Sequence, residues 1–338
     1  MRSSLRKLDL LDRQLYYSIK GMHKESDEIL EKLLKERPND HKILYNYAFK
    51  LLRDGNIKEG MIHLNKGRVI DIFGSSPLDT NRNVLMNASE AAGLTVLVNL
   101  EGGIGDNLLG LKFAKELAKR NTVVALGPKS ISRLVEHQDY ITKYYTHYAT
   151  TIKFDCWYPS LASELILGYT DYNQIPRSPF IRAEKSDRLK RSIGIKFRGN
   201  KEFDHDQYRS PKPEKIIESL KPLKDKFKLY SLEVEDDIEM PDWIIKPEPF
   251  KDWYDTACFI RRLDTVISTC TAVAHLSAGM GKETLIMVPV LPYWIWAYPN
   301  IKDGYERTWY YNNTYLFRQE VFGEWDNVLN KIVEKMIK

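Results

Sequence analysis

Cysteine is scarce in this chain of 338 residues: there are three, Cys156, Cys258 and Cys270, far apart and odd in number. That excludes a disulfide framework and any Cys-based metal spacing, so a reducing, cytoplasmic setting is expected. Long apolar runs are lacking too. Leu285 to Leu291 is too short to cross a bilayer and reads as a buried strand. Met1 to Leu11 alternates charge with leucine and has no signal-peptide core, so a protein with no transmembrane segment is expected. No block of like charge occurs, and the net charge of +5 is spread thinly. It permits an anionic partner without demanding one. Missing as well are a Walker A loop, a Gly-x-Ser-x-Gly nucleophile turn and an Asp-x-Asp pair after a strand. The last weakens any case for a bound divalent metal; no cofactor is expected.

What is present begins with a repeat. Gly21-Met-His-Lys-Glu and Gly55-Asn-Ile-Lys-Glu stand 34 positions apart, with Tyr17 matched to Leu51, Leu30 to Leu64, and Pro38 closing the first unit. The period and turn glycine predict helix-turn-helix units over 1–75 resembling the tetratricopeptide repeat. Two units do not bury both faces of a solenoid, since about three are normally needed, so this segment should dock on the rest of the chain. It reads either as a brace or as a partner-binding surface. Ser75 to Asn83 reads as a connector, followed by a helical stretch near Val84 to Ala92.

Leu94 to Leu100 and Thr122 to Leu126 are strand-like apolar runs flanking an amphipathic helix, which predicts a parallel, doubly wound sheet in a first lobe over 84–182. Two prolines in Ile175-Pro-Arg-Ser-Pro-Phe-Ile-Arg mark an extended crossover. A second lobe over 183–322 takes strands near 192–197, 228–232, 243–246, 265–268 and 284–288. The tail, 323–338, has the apolar period of a helix at Val328, Leu329, Ile332, Val333 and Met336.

Four constellations could carry chemistry. Gly102, Gly103 and Gly105 with Asp106 form a strand-to-helix turn whose spacing is not that of a dinucleotide binder. Asp106 reads as a helix cap or as a general base for an acceptor hydroxyl. Lys196 and Arg198, at i and i+2, lie at a strand end and suit a diphosphate as well as they suit a solvated edge. In the run Asp264 to Met280, a strand ends in a turn at Thr271, Ala272 and Val273 that opens a small-residue helix, a device for holding phosphate. His275 within it reads as acid–base, nucleotide contact or core. The aromatic stretch Pro292-Tyr-Trp-Ile-Trp-Ala-Tyr-Pro reads as packing or as a stacking surface.

The order of these parts resembles the tetratricopeptide-repeat glycosyltransferases related to the heptosyltransferase family. Matching pieces are Gly103-Ile-Gly-Asp, Tyr158-Pro-Ser-Leu, Ile175-Pro-x-x-Pro-Phe-Ile-Arg, Gly194 to Asn200 with Arg209-Ser210, Asp264-Thr-Val-Ile-Ser, Thr271-Ala-Val-Ala-His-Leu, Gly279-Met-Gly-Lys and Leu316-Phe-Arg-Gln. The resemblance implies a GT-B fold, two Rossmann-like α/β lobes facing across a cleft. It also implies inverting, metal-independent transfer of a hexosyl, pentosyl or heptosyl group from a nucleoside-diphosphate sugar, a UDP-sugar foremost. Asp106 inherits the base role and Gly103 and Gly105 the turn. Lys196, Arg198, Thr271, Ala272, Val273, His275 and Trp294 are implicated in donor binding, and Arg209 on the acceptor side. Cys270 and Tyr293 depart from the pattern by replacing carboxylates near the donor. The acceptor is expected to be a glycan, a protein or a hydroxymethylated base of bacteriophage DNA. The alternative is a non-catalytic scaffold or binding module, against which the presence of Asp106 speaks.

Overall fold

A computed structural model of the chain describes residues 9–67, 84–200, 206–235 and 237–338. The connector expected over 75–83 and the start of the Asp204-His-Asp run fall outside them.

Four helices come first: Leu10–Ile19, His23–Glu36, His41–Arg53 and Ile57–Gly67. Carboxylates start two of them. Asp9 accepts from the Asp12 amide at 2.8 Å and Asp40 from the Lys42 amide at 3.0 Å, each using a donor that the helix leaves unpaired. The turns between partners are made at Gly21 and Gly55, with φ of 73° and 88°, a region costly for a residue with a side chain. The 34-residue spacing thus corresponds to two helical hairpins of the same plan. The segment docks, as expected. Leu52, Ile57, Met61 and Leu64 are fully buried and share one apolar core with Val96 and Phe113 of the first lobe and Trp294 and Trp296 of the second.

The first lobe holds strands β1 (Thr95–Asn99), β2 (Thr122–Leu126), β3 (Lys143–Tyr145) and β4 (Cys156–Pro159), all parallel in the order β3-β2-β1-β4. Strand alternation sends Val96, Val98, Val123 and Ala125 toward the core shared with helices Ile104–Leu117 and Ser132–Glu136. Leu97, Val124, Leu126 and Trp157 form a separate cluster on the opposite side with Val84, Tyr145 and Phe154. Here the sheet differs from the doubly wound expectation. Among the described residues both crossover helices share one core, and the return from β3 to β4 carries no helix because 146–155 is short and polar. The helix expected near Val84 to Ala92 is also absent. Val84 bridges Trp157, the Leu85 amide donates to the Trp157 carbonyl at 2.8 Å, and only a single turn, Ala88–Glu90, follows.

The second lobe is a mixed sheet of β5 (Ser192–Lys196), β6 (Lys228–Ser231), β7 (Ile244–Ile245), β8 (Thr265–Thr269), β9 (Glu283–Val288), β10 (Asn300–Lys302), β11 (Tyr305–Arg307) and β12 (Thr314–Arg318). The order is β10-β11-β12-β9-β8-β5-β6-β7, parallel from β12 to β7, with β10 and β11 antiparallel at the edge. Ile193, Ile195, Ile267, Leu285 and Met287 pack with the helices Pro213–Leu220 and Asp326–Ile337. Val266, Ile286 and Val288 join the shared core with the helices Trp253–Arg262 and Ala272–Gly279. This sheet has helices on both faces. The proline crossover runs extended past the second of these, where the Phe180 and Ile181 amides both donate to the Gly279 carbonyl at 2.9 and 3.1 Å. Among the described residues no helix is long and apolar enough to cross a membrane.

Candidate active site

The starts of two helices meet where the lobes join. A Cβ built on Gly105, in the first turn of Ile104–Leu117, would lie 3.0 Å from His275 Cδ2 and 3.6 Å from Ala272 Cα, in the first turns of Ala272–Gly279. Glycine at 105 lets this turn rest directly on the His275 ring, a contact that a Cβ would crowd. Both helices follow strands β1 and β8, so their amino ends lie at the carboxyl edges of the two sheets, with first-turn N–H groups that the helices themselves do not use.

Asp106 sits at this junction, half-buried. Its Oδ2 accepts from the Gly103 amide at 2.8 Å, so the capping reading of the residue holds. Its Oδ1 takes a short hydrogen bond from the Tyr293 hydroxyl, in the opposite lobe. Gly102, with φ of 73°, leaves no room for a side chain, since a Cβ there would lie 2.5 Å from Asp106 Oδ2. Burial pushes the carboxyl up from its ordinary value, opposed by the hydrogen bonds from Tyr293 and Gly103 and by the positive charge of Arg209. Asn107 ties the loop down by donating from Nδ2 to the carbonyls of Glu101 and Gly103 at 2.6 and 3.0 Å.

His275 is buried, with Nδ1 and the Tyr311 hydroxyl 2.9 Å apart. Burial, reinforced by the charge of Lys112, pushes the imidazole down to about 3. The ring is therefore neutral at physiological pH and offers a diphosphate no positive charge. Thr271 is the helix N-cap in extended conformation and forms no side-chain cap, which leaves the amides of Ala272 and Val273 directed out of the helix start. Cys270 beside it is a buried thiol pushed up to about 11 by its burial, so it supplies no charge where a carboxylate was expected.

The cations lie one strand away. Pairing of β5 with β8 sets Lys196 opposite Ser268, whose hydroxyl is 3.2 Å from that of Thr271. Lys196 is ion-paired with Glu233 at 2.5 Å, and the Glu233 side chain is only 4 % exposed. The same carboxylate accepts from the Phe197 and Arg198 amides at 2.8 and 3.2 Å. Arg198 pairs with Glu235 at 3.3 Å and with Asp237. Sequence reasoning missed these carboxylates, which lie 35 to 39 residues beyond their partners and share no motif with them. Arg209, expected on the acceptor side, donates to Asp206 at 2.8 Å, and its charge reaches both Asp106 and Cys270.

Trp294 lies differently from the expectation that it borders the donor. It is 1 % exposed and packs edge-on against Phe49 at 6.0 Å, so it presents no face to a ligand. The neighbouring Tyr293 reaches the junction in its place. Behind the junction, Lys112 and Glu164 are buried together, Lys112 donating to the Tyr310 carbonyl and the Tyr310 hydroxyl donating to Glu164 at 3.1 Å. Burial pulls Lys112 down to about 7 and pushes Glu164 up to about 7.

On the first-lobe side of the glycine turn lies an open cleft of about 290 Å³, lined by Asn99, Gly102, Asn107, Gly127, His147 and Tyr148 among others. Among the described residues no cluster of three or more His, Cys, Asp or Glu has metal-ligand geometry.

No protein-family model matches the chain, and no curated protein matches it in sequence. Among solved structures it is similar to the iron-containing dodecameric glycosyltransferase TibC of enterotoxigenic E. coli, at 13% identity over 70% of this chain and 67% of that one, with a TM-score of 0.47. It is also similar to E. coli heptosyltransferase WaaC with ADP, at 11% identity, 72% and 98% coverage and a TM-score of 0.48. A glycosyl transferase family 9 structure from Veillonella parvula gives 10% identity, 72% and 96% coverage and a TM-score of 0.48. Similarity this distant leaves the functional reading to the chain's own residues.

Proposed function

We propose that the chain is a two-lobed GT-B glycosyltransferase that moves a sugar, with inversion and without a metal, from a nucleoside-diphosphate donor to a hydroxyl. The observation that supports this most is the meeting of the two helix starts, with Asp106 between them. The pyrophosphate would lie against the amides of Thr271, Ala272 and Val273, beside Lys196 and Arg198. The acceptor would enter over Gly103 from the open cleft by Gly102. Asp106 would take the proton of the acceptor hydroxyl as its oxygen bonds to the anomeric carbon. The bond from that carbon to the donor phosphate breaks on the opposite face, its electron pair leaving with the diphosphate, where the helix start and the cations stabilise the charge. Glu233 would let go of Lys196, or share it, as the diphosphate arrives.

Lys196→Ala is expected to weaken nucleoside-diphosphate affinity at least about tenfold, the worth of one charge-assisted hydrogen bond. Titration calorimetry with UDP, GDP and ADP donors measures it. Pairing the change with Glu233→Gln removes the carboxylate that would be left unpaired, and the loss should persist. Unchanged affinity in both variants would remove Lys196 from the donor site.

The rival reading is a non-catalytic binding module. It is favoured by the fact that Lys196 and Arg198 are already paired with carboxylates and Asp106 already caps a helix. Mass spectrometry of glycan, protein and hydroxymethylated DNA acceptors after incubation with whichever donor binds separates the two. A mass gain of one sugar supports the enzyme, and binding without a gain on any acceptor supports the module.

A further inference from the structure

The helical segment touches one stretch of the second lobe at three separated points. At its first turn, a Cβ on Gly21 would come 2.7 Å from Val290 Cγ1. At its second, a Cβ on Gly55 would come 2.8 Å from the Tyr298 ring. Between them, Phe49 of His41–Arg53 meets Tyr293 and Trp294 edge-on, with ring centroids 6.4 and 6.0 Å away. The pair of turn glycines that defines the sequence repeat therefore grips both ends of Val290–Tyr298, and the helix between them presses on its middle. Tyr45, one turn before Phe49 and 5.1 Å from its ring, lies within electrostatic reach of Asp106.

We propose that this helical segment is a clamp belonging to the active site: through Gly21, Phe49 and Gly55 it fixes the Val290–Tyr298 stretch so that the Tyr293 hydroxyl holds the Asp106 carboxylate. Phe49 and Tyr293 are positioning residues in this scheme. The proposal rests on the glycosyltransferase reading for its catalytic consequence and not for its structural one.

The physical consequence is a pH effect with a fixed sign. A hydrogen bond donated to a carboxylate favours the ionised form, so losing the Tyr293 bond raises the pH at which Asp106 gains its proton. The groups that act on Asp106 from the packed elements are Tyr45, Tyr293, Tyr311, Cys270 and Arg209, together with the Gly103 amide. Neutral His275 adds no charge across this junction at physiological pH.

The test compares Phe49→Ala, Tyr293→Phe and the double variant with wild type and with Phe49→Leu. Carbon-13 NMR on full-length protein labelled at Asp carboxyls follows Asp106, its resonance assigned by its loss in Asp106→Asn. Phe49→Ala and Tyr293→Phe should each move the Asp106 titration to higher pH, the double variant no further than Tyr293→Phe alone, and Phe49→Leu should restore most of the wild-type value. In a transfer assay the same variants should lose about tenfold in kcat with little change in donor KM, and the acid limb should move upward. Additive effects, or an Asp106 titration unmoved by Phe49→Ala in a protein that still unfolds cooperatively, would overturn the clamp. Because the titration is read without donor, it stands or falls even if no transfer activity is found. Should Phe49→Ala fail to fold, Val290→Ala, which removes the side chain that meets Gly21, gives the same readout from the other end of the clamp.

Discussion

Asp106→Asn is expected to lower transfer by about 10²- to 10⁴-fold, the usual worth of a positioned general base. Donor affinity should stay within about threefold of wild type, because the proposed pyrophosphate contacts come from the other lobe. The amide retains the size of the carboxylate and can still accept from the Gly103 amide, so the helix start should survive. Its Nδ2 group then faces the Tyr293 hydroxyl, which can turn to accept from it. What is lost is the basic lone pair. Steady-state kinetics with calorimetric donor binding on the same preparation measures both quantities. Equal losses in binding and turnover would mean that Asp106 shapes the donor site and is not the base.

Leu52→Ala should destabilise the whole protein by about 2–5 kcal/mol, and in a single transition. Leu52 is fully buried, its Cγ lies 2.6 Å from where a Cβ on Gly60 would be, and its carbonyl accepts from the Tyr172 hydroxyl at 3.0 Å. It belongs to the core that runs through the helical segment and both lobes. A cavity there opens in a core continuous through all three parts, and little collapse is available in so tightly packed a place. Urea unfolding followed by far-UV circular dichroism and by tryptophan fluorescence should give coincident midpoints shifted together. Two separated transitions would show that the helical segment folds on its own and only rests against the lobes.

Much of this architecture is legible in the residues, for identifiable reasons. Strands buried on both sides declare themselves as unbroken apolar runs, so β1, β2, β5, β6, β8 and β9 fall close to where the sequence puts them. Most of the strands it misses are short or exposed; β12, five residues long and largely buried, is the exception. β3 and β4 span only Lys143–Tyr145 and Cys156–Pro159, and β10 has an exposed Ile301 and Lys302 and a turn at Asp303 and Gly304. The stretch after Val84 has helical composition, yet Val84 is drawn into a bridge with Trp157, a tertiary pull that local propensity does not contain.

The site divides along the same line. Gly103, Gly105, Asp106, Lys196 and the Thr271 turn lie at strand ends in local motifs, and the chain brings the two turns together. The bond from Tyr293 to Asp106 spans 187 positions, and the Glu233 contact to Lys196 spans 37. Neither has a local signature. Read by family pattern, Tyr293 is only a missing carboxylate; in the fold its phenol supports the carboxylate that remains. The repeat at Gly21 and Gly55 is visible as a period, but that both glycines meet the stretch carrying Tyr293 emerges only from packing.

The decisive experiment is phosphorus-31 NMR of nucleotide sugars added to wild-type protein and to Asp106→Asn, with each variant saturated by the donor it binds. If one pyrophosphate rests on the second lobe while a first-lobe carboxylate readies the attacking oxygen, wild type with an accepting hydroxyl will release nucleoside diphosphate, and the variant will hold the donor unspent. Equal release from both proteins, or no perturbation of any donor's phosphorus signals by wild type, would contradict the account.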